Sequence, residues 1–349
     1  MRRVSRIAVA SVATAALAVT VSACGSSSSS SSSGGGDKNL GLALAYDVGG
    51  KGDQSFNDAA TAGMEKADQE FGYKSTAKEP QDGESDADKV QRLETLAKQG
   101  YNPVVGVGFA YAPAVKAAAA KFPKTTFGIV DDSTITASNV ADLVFHEEQA
   151  SYLAGVAAAK TTKSNTVGFI GGVDVPLIHK FEAGFKQGVA DTKKGVTVKS
   201  QYLTQTAEEG GFASPDKGEN AANGQIDAGA DVVYAAAGLS GQGVIKAASE
   251  HKVWAIGVDS DQYQQGALAK YKDSILTSAM KDVSGAVYNL AKSVKDGKPQ
   301  TGEVRASLAT GGVSLSDSNP VFKNNAGLQK AIKKAEEAIK SGSITVKDS

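Results

Sequence analysis

The stretch "LGLALAYDVGGKGDQSFND", residues 40–58, decides the architecture. Leu40 to Tyr46 is an apolar run of strand length. It ends at Asp47 in a glycine-rich loop. From Ser55 onward, Phe56, Ala60, Gly63, Met64 and Ala67 recur at helical spacing, and Gly72 can stop the helix. Strand, loop and helix in this order form the first half of a βαβ unit. Within it, Phe56 is an aromatic in polar surroundings whose purpose periodicity does not explain.

The same rhythm continues along the chain. "PVVGVG" (103–108) leads to an alanine-rich helix at 112–121, followed by "TTFGIVDD" (125–132) and "NVADLVF" (139–145). After Phe145 the pattern restarts. "NTVGFIGG" (165–172) precedes a helix at 176–190, then come strands at 196–203, 230–238 and 253–261. Repeated strand–helix–strand units predict an α/β fold of parallel sheets covered on both faces, and the restart predicts two similar Rossmann-like lobes.

The N-terminus predicts export. Arg2, Arg3 and Arg6 precede a stretch at 7–21 that is mostly Ala, Val and Leu, too short and too rich in Ser and Thr for a membrane span. "VSAC" then closes on Cys24, the only cysteine, which cannot form an intramolecular disulfide. The serines at 26–33 and glycines at 34–36 offer no side chain to a core, so this segment reads as a flexible tether spanning roughly 20 Å. Removing the three arginines of the first 36 residues leaves 34 basic against 38 acidic groups, formally −4. No basic excess points to nucleic acid. The remainder, about 310 residues, is more than one core usually holds.

In an open parallel sheet, ligands bind beyond the carboxyl ends of the strands. Asp47, Asp131, Gly171, Asp174, Gly238, Asp259 and Lys281 all stand at such positions and are expected to converge on a cleft between the lobes. An acid after a strand is equally a helix cap, however. Ser55 and Asn57 are natural caps, Phe56 can be a staple, and Phe212 can pack locally. No phosphate-cradling motif, dinucleotide fingerprint or metal-ligand spacing is present. His146, His179 and His251 are widely separated, so neither metal nor cofactor is expected.

Several segments carry a closer resemblance. "DVGGKGDQSFND" (47–58), "VFHEEQASYLAGVAA" (144–158), "VGFIGGVDVPLIHKFEAGF" (167–185), "GFASPDKG" (211–218) and "AIGVDSDQ" (255–262) resemble, in order and spacing, the motifs of the basic membrane protein family. These are substrate-binding lipoproteins of bacterial ABC importers, many of them binding purine nucleosides. The resemblance implies the type I periplasmic-binding-protein fold, two lobes joined by a three-segment hinge near Phe145 and Met280. It places a first lobe at 39–145 plus 282–302 and a second at 146–281 plus 303–349, after a signal peptide at 1–23 and a tether at 24–38. "VSAC" resembles a lipobox, which implies a lipid on Cys24 and a location on the outer face of the cytoplasmic membrane.

Carried over residue by residue, the resemblance makes Phe56 and Phe212 the faces that sandwich a base, with Asn57 beside the first. Asp131 accepts base N–H groups, and Asp259 and Lys281 hold ribose hydroxyls. Gly238 permits close backbone approach, and Asp47 supports the first loop. Where the family often has an acid two residues after the second aromatic, this chain has Ser214, with Asp216 displaced, and Asp132 competes with Asp131 for register. The expected protein is a monomer that captures a nucleoside and delivers it to a membrane permease. A sensor signalling to a membrane partner is the alternative. A nucleoside hydrolase is disfavoured, because the clustered acids of a hydrolase's metal-bound water are missing.

Overall fold

A computed structural model describes residues 39–349; the signal peptide, Cys24 and the tether expected before them lie outside the described residues. Two six-stranded sheets form the molecule. The first contains β1 (Leu40–Ala45), β2 (Lys74–Lys78), β3 (Val104–Gly106), β4 (Phe127–Val130), β5 (Val140–Phe145) and β11 (Gly302–Ala306). Their order is β11-β5-β4-β3-β1-β2, with every pair parallel. The second contains β6 (Thr166–Val173), β7 (Thr197–Thr204), β8 (Val232–Ala236), β9 (Trp254–Asp259), β10 (Ile275–Lys281) and β12 (Val313–Leu315), in the order β12-β10-β9-β8-β6-β7. Only β12 runs antiparallel. Helices α1 (Phe56–Phe71), α2 (Asp86–Gln99), α3 (Ala112–Lys121), α4 (Glu147–Thr161), α5 (Pro176–Thr192), α6 (Pro215–Asp227), α7 (Gly241–Glu250), α8 (Val283–Lys295), α9 (Pro320–Lys323) and α10 (Ala326–Lys340) complete the two lobes.

Burial follows from this layering. Leu42 to Ala45 are fully buried because helices cover both faces of β1. Gly72 ends α1 in the left-handed region at φ 68°, its N–H donating to the Asp68 carbonyl, which a residue with a Cβ adopts at a cost. Helix α4 is buried on all sides from Ala150 to Ala159, since α5 and α10 pack on it beside the second sheet.

The chain passes between the sheets after β5, after β10 and after β11. Strand β11 pairs along its length with β5, so the third passage follows Ala306, not Gly302 as expected. Five residues in parallel register with β5 fix this edge strand to the first sheet, and "GEVRA" has too little apolar pattern to announce it.

The α4–α5 crossing depends on glycine. A Cβ at Gly188 would collide with the Tyr152 carbonyl oxygen, and one at Gly155 with that of Phe185. Gly188→Val is therefore expected to destabilise the chain by about 1–3 kcal/mol, as overpacking does. The check is a lowered urea midpoint; an unchanged midpoint would show that the two helices can separate without loss.

Candidate ligand-binding site

The loop between β1 and α1 is shaped by its acids. Asp53 Oδ1 accepts the N–H groups of Ser55 (2.9 Å) and Asp58 (3.1 Å), and Oδ2 accepts that of Asn57 (2.8 Å). Asp53 thus caps α1, the role expected of Ser55 and Asn57. The reason is conformational: Ser55 has φ −146° and ψ −107° and makes no side-chain cap bond. Its hydroxyl instead donates to Asp259 Oδ2 at 2.6 Å, on the other lobe. The Asn57 amide oxygen accepts Asp47 N–H (3.0 Å), and its nitrogen donates to Asp53 (3.1 Å). The capped loop holds Phe56 at the mouth of the helix, facing inward.

What it faces is a cavity between the lobes with about 50 Å³ of free space, well below the few hundred that small-molecule sites usually offer, so the lobes stand drawn together over it. Phe56 lines it from the first lobe and Phe212 from the second. Gly172 makes room for the Phe212 ring, since a Cβ there would strike the ring edge. Gly238, at φ 53°, lets the Phe212 segment approach; a Cβ at 238 would sit 3.2 Å from the Phe212 carbonyl oxygen. Leu177, Ile178 and Phe181 of α5 supply an apolar wall, with Phe109 beside Gly108 across from it.

One end of the cavity is ionic. Lys281 Nζ lies 2.6 Å from Asp131 Oδ2 and 3.6 Å from Asp259 Oδ1, and all three side chains are buried. Burial opposes the lysine's charge, but Asp131, Asp259 and Glu147 around it raise its pKa above the ordinary value. The ammonium also stands 4.7 Å from the Phe56 ring centroid, a cation–π contact. Asp131 and Asp259 hold left-handed backbone, φ 68° and 62°, at the ends of β4 and β9. Non-glycine residues are uncommon there, and two of them at strand ends facing one cavity mark a site. Asp131 Oδ1 is buried without a hydrogen-bond partner, an acceptor open to a ligand donor.

Burial pushes the Asp47 carboxyl up to about 7, and that of Asp142 in β5 to about 6. Groups with folded pKa values raised above the unfolded value bind more protons when folded. Their stability contribution is full below about pH 4 and is lost as pH rises through 6 to 7. From the Asp47 shift alone, the ligand-free chain is expected to lose about 2 kcal/mol between pH 5 and pH 8. Urea titrations at the two values test this, and Asp47→Asn should reduce the difference while Asp142 keeps its share; a stability that rises with pH would contradict it.

Comparison with known proteins places this geometry. The model of the Bmp family, "ABC transporter substrate-binding protein PnrA-like", matches residues 42–349. The chain belongs to the Bmp family of ABC-transporter substrate-binding proteins. It is 36% identical over 325 residues to the "ABC transporter nucleoside-binding protein BmpA" of Lactococcus lactis subsp. cremoris, covering 88% of this chain and 89% of the relative. It is also 36% identical over 298 residues to the "CD4+ T-cell-stimulating antigen" of Listeria monocytogenes, covering 80% and 81%. Among solved structures, an ABC transporter solute-binding protein from Aeropyrum pernix K1 superimposes with a TM-score of 0.77 at 25% identity, covering 88% of this chain and 92% of that one. The fold is that of type I periplasmic binding proteins.

For this Bmp-family chain, all eight cleft positions carried over from the resemblance, Asp47, Phe56, Asn57, Asp131, Phe212, Gly238, Asp259 and Lys281, line the one cavity. Asp132 turns away, its Oδ1 accepting Thr134 N–H and Oγ1–H at 2.8 Å each. Gly171 and Asp174 do not join the site. Gly171 packs against Tyr202, and Asp174 Oδ1 pairs with His179 Nε2 at 2.6 Å on the second lobe. The sequence reading missed Asp53, Phe109 and the α5 wall. Leu177, Ile178 and Phe181 have the spacing of any core-facing stripe, so only the lobe arrangement distinguishes them as lining.

Proposed function

We propose that this chain is the lipid-anchored, extracytoplasmic receptor of an ABC importer, capturing a purine nucleoside between its lobes without chemistry and presenting it to a membrane permease. The observation that carries the reading is the cavity's composition: an aromatic ring from each lobe, an apolar wall, and polar groups dominated by carboxylates. A flat base suits the two rings, each aromatic pair contributing about 0.5–1.5 kcal/mol beyond area burial. Hydroxyl and N–H donors suit Asp47, Asp131 and Asp259. The excess of acids over Lys281 opposes a phosphate, favouring nucleosides over nucleotides. Because Lys281 joins Asp131 to Asp259, these three act as one cluster at the ribose end, which leaves Asp47 as the acid available to base N–H groups. This moves Asp131 from the base to the sugar. The Lactococcus relative's name, nucleoside-binding protein, supports the ligand class. An "uncharacterized lipoprotein" of Pyrococcus horikoshii, 33% identical over 80% of this chain, supports the anchor at Cys24. Among the described residues, no helix is long and apolar enough to cross a membrane.

The test is calorimetric titration of a chain lacking residues 1–36, unfolded and refolded to strip ligand carried from the host. Guanosine, inosine, adenosine, cytidine, uridine, ribose and guanosine monophosphate serve as ligands. Purine nucleosides should bind tightly and be recovered unchanged. Heat from ribose alone, or preference for the monophosphate, would overturn the reading.

A further inference from the structure

Three side chains of the second lobe that do not line the cavity reach across the cleft, and all of them grip one loop, residues 52–55 of the first lobe. Gln242 Nε2 donates to the Gly52 carbonyl at 3.0 Å, Gln262 Nε2 to the Gln54 carbonyl at 3.0 Å, and Ser260 Oγ to the Ser55 carbonyl at 2.7 Å. In the reverse direction, Ser55 Oγ donates to Asp259 Oδ2. None of Gln242, Ser260 and Gln262 lines the cavity. Ser55 is fully buried, and Gln262 is 1% exposed.

We propose that Gln242, Ser260 and Gln262 are positioning residues: together they form a latch on loop 52–55 that sets how often the cleft is closed, and hence how tightly ligand is held, without touching the ligand. The loop is built to be gripped. Asp58 accepts the N–H groups of Gly52 (2.8 Å) and Gln54 (3.0 Å), and Gln54 is held at φ 57°. Its carbonyls therefore point out of a stiff frame toward the second lobe. The next residue is Phe56, so gripping the loop also fixes the plane of that ring. Each contact exchanges with water when the lobes part, so each adds a modest bias to closure. The apparent dissociation constant of a ligand that binds the closed form scales inversely with the closed fraction.

Gln242 gives the cleanest test, because its side chain has this contact and is only half buried. Amide hydrogen exchange on the full-length, ligand-stripped chain in detergent reads closure without any ligand. Gln242→Ala should speed exchange at 49–55 about fivefold, ~1 kcal/mol, leaving β1 and β8 unchanged. Gln242→Glu keeps the length but turns an acceptor toward the Gly52 carbonyl, so it should open the seam further than alanine does. Inosine dissociation in stopped flow should accelerate in the same order, with association nearly constant. Unchanged seam exchange, equal acceleration in β1 and β8, or a glutamate variant that behaves like wild type would each overturn the latch. The choice of inosine rests on the nucleoside reading. If wild type fails to bind inosine, that reading fails, while the exchange measurement still decides the latch.

Discussion

Replacing Lys281 with methionine should destabilise the ligand-free chain by about 3–5 kcal/mol at pH 8, the cost of leaving buried carboxylates without their cation. The lysine joins Asp131 from the first lobe to Asp259 of the second, at the end of β10 where the chain passes between sheets. Methionine fills much the same volume, so packing changes little and charge is isolated as the cause. Without the ammonium, the Asp131 and Glu147 carboxyls rise further in pKa, and burial already raises Asp131 to about 6 and Glu147 above its ordinary value. The folded variant then takes up protons that the unfolded chain does not, so its deficit should shrink as pH falls from 8 to 5. Urea denaturation of both proteins at the two pH values measures this. A deficit that is the same at pH 5 and pH 8 would show that the lysine's stem, not its charge, matters.

The parts of the fold legible in the amino-acid pattern are those where burial is complete. "LGLALAY", "NTVGFIGG" and "VWAIGVDSD" are apolar because both faces of their strands are covered, and the structure places strands there at Leu40–Ala45, Thr166–Val173 and Trp254–Asp259. Edge strands carry no such mark. "KSTAK" forms β2 and "GEVRA" forms β11, half-buried or exposed along their length and without the apolar run that marks a covered strand. The site divides along similar lines. Acids at strand ends are conspicuous because the sheet's topology makes those positions functional, yet Asp174 obeys the same rule and pairs with His179 outside the cavity. What no local pattern reveals is contact between distant segments. Ser55 reads as a helix cap until Asp259, some two hundred positions later, is seen to accept its hydroxyl. Lys281 is ordinary in sequence and becomes the hub of the ionic end only when β4, β9 and β10 are brought together.

Phe56→Ala should weaken every purine nucleoside by roughly 30-fold or more, about 2 kcal/mol, the scale on which central aromatic contacts contribute to binding. Two losses add in this variant: one face of the proposed base sandwich, and the ring that stands 4.7 Å from the Lys281 ammonium. Stability should suffer much less, because Phe56 is only half buried at the first position of α1 and the cap is supplied by Asp53. Phe212→Ala removes the opposite face and should give a comparable loss of affinity, again across guanosine, inosine and adenosine alike, since a stacked ring reads no hydrogen-bonding edge. Asp47→Asn, by contrast, should discriminate among them, because an amide in place of a carboxylate changes which base edges can be paired. Calorimetry with the three nucleosides on these three variants separates the roles. If Phe56→Ala leaves guanosine affinity within twofold of wild type, the base does not lie on that ring, and the aromatic serves the loop and the lysine instead.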